Sequence, residues 1–211
     1  MTQLPIALDL IAIATGGLFG SALAVQRRMP LVAVMLIGIL MALGGGMFRD
    51  LLLDVPVVAV HNAWYIPTAV FAALVGMPLA RRTVENSLVG LSLDALVLGT
   101  YVLVGTQKAV LLGMPVGSSI FVGVLTAVGG GTIVEMMLGS KPNVLRDGPW
   151  FASAALVGAV IVVLGHGLID PNILAAITIA TVAIIRITSV RLGYTAPSVA
   201  NIQKLRRNRA E

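Results

Sequence analysis

Seven apolar runs, each 17 to 24 residues long, leave this chain few ways to fold. A backbone in hydrocarbon must satisfy its own hydrogen bonds, which only helices and closed barrels do. Barrel strands need about 10 alternating residues, whereas runs of about 20 match helices crossing roughly 30 Å of lipid. Cut at charges, prolines and polar clusters, the runs are approximately Leu4–Gln26, Pro30–Leu53, Trp64–Ala80, Leu88–Val110, Pro115–Leu138, Trp150–Leu168 and Pro171–Val190. The composition agrees: 58% hydrophobic, 11% charged and a mean hydropathy of +1.00, where ordinary soluble domains carry about 25% charged residues. This reads as an all-α integral membrane protein. The first run has no basic region before it and leads straight into further spans, so it reads as a span and not a cleaved leader. Without cysteine, a disulfide framework and thiolate chemistry are excluded.

Orientation follows from the basic residues. With the N-terminus outside, the cytoplasmic loops hold Arg27, Arg28, Arg81, Arg82, Lys141 and Arg146, and the tail holds Arg191, Lys204, Arg206, Arg207 and Arg209. Only Arg49 and Lys108 fall toward the other side, which is the positive-inside pattern. The net charge of +5 is therefore a topology signal and not a nucleic-acid patch. The basic tail, residues 191–211, either fixes orientation as a solvated segment or touches anionic lipid.

The chain is also duplicated. Gly44, Gly45 and Gly46 recur as Gly129, Gly130 and Gly131, and the same offset of 85 (129 minus 44) aligns residues 8–75 with 93–160 without a gap. Eighteen of the 68 aligned positions are identical, among them Asp9 and Asp94, Gly20 and Gly105, and Met29-Pro30 and Met114-Pro115; chance in so apolar a chain gives about 6. Each copy holds three helices, and an odd number makes consecutive copies cross the membrane in opposite senses. The expectation is one membrane domain of seven transmembrane helices, an inverted repeat of 3+3 plus a seventh: repeat one about 5–80, repeat two about 88–168 and the seventh helix about 171–190.

Each helical glycine costs roughly 1 kcal/mol relative to alanine, so two triplets are a burden of several kcal/mol. Two explanations compete. Glycines let neighbouring helices approach closely, or they bend or unwind the helix so that free carbonyls and half-helix ends face an ion, the pattern of a permeation path at matching positions of two repeats. A carboxylate follows each triplet by four residues, Asp50 in the first and Glu135 in the second.

The pattern GGG-x-x-R-D inside a duplicated three-helix unit with a seventh helix resembles the bacterial and archaeal trimeric intracellular cation channel family, whose members are also catalogued as an uncharacterised, or glycine transporter, domain family. The match covers residues 8 to about 190. The resemblance implies a prokaryotic inner or plasma membrane protein and a homotrimer with a pore inside each subunit. Helices 2 and 5, bent at their glycines, would line that pore, which conducts monovalent cations, chiefly potassium. The first repeat carries the motif as Gly44, Gly45, Gly46, Arg49 and Asp50; the second has Val134 for the arginine and Glu135 for the aspartate, an uncompensated carboxylate.

Among the charges, Arg49 and Asp50 point about 100° apart on a helix and need not pair. Arg49 either snorkels to the interface or lines the pore. Asp50 either joins the pathway or is solvated beyond the hydrocarbon. Glu135 is the better candidate for drawing cations into the cytoplasmic half, and Thr132, beside a triplet, for a hydroxyl ligand. Asp9 and Asp94 read as first-turn residues favoured by the helix dipole, Lys108 and Arg186 as snorkelling anchors, and Trp64, Tyr65 and Trp150 as an aromatic belt. His61 and His166 lack a second ligand at metal spacing, so no tight metal site is expected. No cofactor motif, phosphate loop or catalytic constellation is present, which argues against an enzyme. The alternative to a channel is a secondary transporter of a small solute such as glycine, because inverted repeats with broken helices also build transporters. A non-transporting assembly subunit, whose glycines only pack helices, is the third reading.

Overall fold

The computed structural model describes residues 6–80, 88–145 and 148–195. The expectations placed on Leu4, Arg81, Arg82, Arg146 and the tail beyond residue 195 lie outside these. Among the described residues the protein is all-helical, with eight α-helices: α1 (Ile6–Gln26), α2 (Leu31–Leu52), α3 (Val58–His61), α4 (Tyr65–Leu79), α5 (Leu88–Leu111), α6 (Val116–Met137), α7 (Ala152–Gly165) and α8 (Pro171–Arg191). A single 3-10 turn, Asn143–Leu145, precedes α7. Five of the helices, α1, α2, α5, α6 and α8, are long and apolar enough to cross a membrane. The runs expected at Trp64–Ala80 and Trp150–Leu168 contract to α4 and α7, of 15 and 14 residues. At 1.5 Å per residue these reach only about 22 Å. The short helix α3, absent from the sequence reading, takes up part of the connection before α4. At the corresponding place before α7 sit the 3-10 turn and an antiparallel bridge from Pro149 to Thr195.

Helix α1 packs against α2 and α4, while α5 packs against α6, α7 and α8. The two groups meet where α2 lies on α6 and α1 on α5. The largest buried cluster forms around α5, where Leu98, Tyr101 and Val102 face Ala127 and Val128 of α6, Ala155 and Ala159 of α7, and Val182 of α8. Alanines supply the α7 side of that cluster, so the helices approach closely there, as dispersion and not water exclusion requires between lipid-solvated helices.

The duplication extends to the backbone of the helix ends. At the end of α1, Met29 N donates to Ala24 O at 3.3 Å, and at the end of α5, Met114 N donates to Ala109 O at 3.1 Å. Likewise Val55 N donates to Asp50 O at 3.1 Å after α2, and Ser140 N to Glu135 O at 2.8 Å after α6. These six-to-one bonds need a left-handed residue just before the donor. The second half supplies Gly113 (φ 74°) and Gly139 (φ 67°); the first half places Arg28 (φ 55°) and Asp54 (φ 52°) there. Two residues after Arg28 and Gly113 the same restart follows, Pro30 before α2 and Pro115 before α6, where a missing N–H is harmless.

Candidate functional site

The glycine triplets face one another where α2 crosses α6. A Cβ on Gly44 would lie 3.4 Å from Gly130 Cα, and one on Gly130 would lie 3.1 Å from both Gly45 N and Met41 O. A Cβ on Gly45 would strike Thr126 O. Met41 and Thr126 are themselves 85 positions apart, so the contact is reciprocal: each helix sets its middle glycine against the carbonyl four residues before the other's. The remaining glycines are open. A side chain on Gly129 would meet nothing within 4 Å, and one on Gly46 or Gly131 would find its nearest atom at 3.8 or 3.7 Å. Both helices stay α-helical through their triplets. The unwinding considered from sequence does not occur here; the glycines work by close approach.

A cavity reaches this contact from each end. The larger, about 250 Å³, has Gly131 and Met41 at the glycine contact and Asp94, Glu135, Arg27 and Arg186 on its walls. The smaller, about 10 Å³, room for roughly one water, is lined by Gly46, Ala42, Leu43, Tyr101, Asp9, Arg49 and Asp50. Neither is lined by Thr132, which is half-buried on α6.

The charged ends are built differently. At the Asp9 end, Arg49 is 2% exposed and Asp50 1%. Arg49 Nε donates to Asp50 Oδ1 at 2.8 Å and its Nη1 to Asp9 Oδ1 at 3.0 Å. Lys108 Nζ donates to Asp50 Oδ1 at 2.7 Å, and Tyr65 Oη to Asp9 Oδ2 at 2.8 Å. Adjacent residues do pair here, because the long guanidinium reaches back across the angle between them. Arg49 and Lys108 are thus not snorkelling to an interface, Tyr65 is not part of an aromatic belt, and Asp50 is not solvated. The other oxygen of Asp50 accepts Val58 N at 2.9 Å and so caps α3.

The Glu135 end copies the carboxylates and changes their partners. Glu135 Oε2 accepts Asn143 N at 2.7 Å, the counterpart 85 positions on of the bond from Val58 N to Asp50, and Asn143 Nδ2 donates to its other oxygen. The carboxylate expected to stand uncompensated is therefore hydrogen-bonded. Val134, where Arg49 stands in the first half, is fully buried at 0% exposure. The counterpart of Asp9 nevertheless has its arginine. Arg186 of α8 donates Nε to Asp94 Oδ2 at 2.8 Å and stacks its guanidinium over the Phe151 ring at 4.9 Å. This places Arg186 as a structural cation and not an interfacial anchor, and Asp94 is not in the first turn of α5. Trp150, expected in the belt, donates Nε1 to Thr195 O at 3.1 Å. On α6, Thr126 Oγ1 is spent on its own backbone, donating to Val122 O at 2.7 Å.

The contacts of two residues escaped the sequence reading. Arg186 gave no local signal, since its partner is 92 residues away. Tyr101, whose hydroxyl donates to the Ala42 carbonyl beside the first triplet, did give one: its counterpart at the 85 offset is Gly16.

A buried helix pair joined through glycine, flanked by polar cavities and sealed ion pairs, defines a polytopic α-helical membrane protein built on a duplicated unit. Comparison with known proteins gives the family. A profile described as glycine transporter matches twice, over residues 6–81 and 91–167, one match to each half. The chain belongs to this glycine transporter (UPF0126) family, a prokaryotic TRIC-like family. It is 28% identical over 194 residues to the UPF0126 membrane protein YvgT of Bacillus subtilis, covering 90% of this chain and 94% of that one. To the UPF0126 inner membrane protein YadS of Escherichia coli K12 it is 30% identical over 157 residues, 73% and 75% of the two chains. Among solved structures it resembles the TRIC trimeric intracellular cation channel orthologue from Rhodobacter sphaeroides, with a TM-score of 0.79, 26% identity, and 89% and 97% of the two chains covered. It matches another TRIC cation channel, solved to explain conductance, equally well, at 0.79 and 26%, with 93% and 97% covered.

Proposed function

We propose that the protein is a monovalent cation channel, conducting mainly potassium, with a path inside each subunit along the contact of α2 and α6. The observation that carries this reading is the pair of polar cavities meeting the glycine contact from opposite ends. Close approach of α2 and α6 keeps carbonyl oxygens such as Met41 O and Thr126 O near the axis, and each keeps a second lone pair after its helical bond. Gly46 and Gly131 leave backbone bare at the cavity floors, and Glu135 and Asp94 give the larger cavity carboxylates for an entering cation. In this reading α1, α2 and α4 form the first triplet of an inverted repeat, α5, α6 and α7 the second, and α8 is the seventh span. The reciprocal glycine contact and the twofold family match support that arrangement. The protein assembles as a homotrimer in the prokaryotic inner membrane, as the neighbouring trimeric channels suggest. Its N-terminus is outside and its basic C-terminus cytoplasmic, so that the Glu135 end opens to the cytoplasm.

Planar bilayer recording tests the proposal. Purified protein is expected to carry ohmic single-channel currents selective for K⁺ or Na⁺ over Cl⁻, and Glu135→Gln is expected to lower conductance severalfold while still accepting the Asn143 N–H. Absence of current under every ionic condition would overturn it. The family description favours one second reading, uptake of glycine by alternating access; that reading requires saturable, competable flux of the amino acid instead of a current.

A further inference from the structure

The two cavities come within one residue of each other along α2: Met41 lines the larger and Ala42 the smaller. Tyr101 of α5 lines the smaller and packs against Gly45 at the glycine contact between them. Its ring edge, Cδ1, lies 3.3 Å from the position a Cβ on Gly45 would take, and its hydroxyl lies 2.8 Å from the corresponding position on Gly16. The phenol therefore fills a slot that exists because two facing glycines have no side chains. The hydroxyl donates to Ala42 O and stands 3.5 Å from Met41 O. Tyr101 is buried and lines the smaller cavity, while Met41 and Gly131 of the same helix contact line the larger. On the other wall the Met41 terminal methyl lies 3.7 Å from the position a Cβ on Gly131 would take, but an unbranched side chain yields easily, whereas a Tyr ring turns about only two bonds. The plug also breaks the symmetry of the molecule. The glycine contact is reciprocal at the offset of 85, yet the counterpart of Tyr101 is Gly16, so one half supplies the stopper and the other its seat.

We infer that Tyr101 is the gate of the pathway: seated between Gly16 and Gly45 and latched to the Ala42 carbonyl it closes the path, and swinging from that seat it joins the two cavities. This rests on the channel reading for its physiological meaning, but the barrier can be tested separately because the chain has no cysteine. Leu43→Cys places one thiol in the smaller cavity of the full-length protein. Reconstituted in liposomes in chloride-free buffer, it is exposed from one face or the other to Ag⁺, a thiol-reactive cation about the size of K⁺, the remaining free thiol is titrated after denaturation, and K⁺ flux is measured in parallel. With Tyr101 present, modification is expected from one face only. In the Tyr101→Ala background it is expected from both faces, with K⁺ flux raised about tenfold or more. Tyr101→Phe keeps the ring packing and so guards against loss of fold; losing only the latch, it is expected to raise flux by up to about tenfold. Equal modification from both faces with Tyr101 present, or no change in access and flux in either variant, overturns the inference. Access from both faces in Tyr101→Ala with no K⁺ flux in any protein upholds the barrier and overturns the channel reading instead.

Discussion

The Asp9 end and the Glu135 end share their backbone and differ in their cations. Both have a helix closed by a left-handed turn, a carboxylate from the last turn of a glycine-bearing helix, and a backbone N–H eight residues later bonded to that carboxylate. At the Asp9 end the balancing charges come from within the repeats, Arg49 and Lys108, and with α3 they fill the space almost completely. At the Glu135 end the arginine position is Val134, the cation for Asp94 comes from α8 outside the repeat, and a cavity of about 250 Å³ stays open. A duplicated membrane unit can thus keep its geometry and carboxylates while exchanging where the neutralising charge originates, and the exchange goes with a narrow cavity at one end and a wide one at the other.

The sharpest way to break this comparison is to remove each arginine. Arg49→Leu leaves Asp9 and Asp50 short of their buried partner and is expected to cost about 3–5 kcal/mol. Arg186→Leu, at a pair with side chains 9% and 14% exposed, leaves Asp94 nearer water and is expected to cost about 1–3 kcal/mol. Thermal unfolding in detergent measures both, and equal losses would mean that the two ends are equally sealed. Next in size is the glycine contact. Gly45→Ala drives a methyl into Thr126 O and is expected to cost about 1–3 kcal/mol, whereas Gly129→Ala, with open space around it, is expected to gain about 0.4–1 kcal/mol. A gain at both positions would refute the close-approach role. The smallest effect concerns the turns. Asp54→Gly gives the first half the residue its partner already has at Gly139, relieving left-handed strain, and is expected to raise stability by up to about 1 kcal/mol. The same change in unfolding midpoint, read with opposite sign, would show that Asp54 is anchored by contacts of its own.

Much of this was legible from the chain. Long apolar runs announce membrane helices, and the 85 offset locates the paired triplets, because identical residues at a fixed spacing survive without any knowledge of contacts. Contacts between distant helices were not legible. That Arg186 serves Asp94 depends on α8 lying against α5, and no pattern within α8 reveals it. The pairing of Arg49 with Asp50 was hidden by helix geometry, which separates neighbouring Cβ directions but not the tip of a guanidinium. Between close packing and a break in the helix the glycines themselves could not choose, since the same missing Cβ permits both and only the neighbour decides. The short α3 was missed because four residues carry no periodicity. Tyr101 was the readable exception: a bulky residue facing glycine at the repeat offset marks where two otherwise equivalent halves diverge.

A cation path along the contact of α2 and α6 is tested by a single flux measurement. Liposomes containing the purified protein, with K⁺ high inside and low outside, are followed with a potential-sensitive dye, with and without glycine. The account predicts a diffusion potential that is negative inside, tracks the K⁺ gradient, is indifferent to Cl⁻, and is unchanged by glycine. A potential that never develops, together with saturable uptake of labelled glycine, would contradict it.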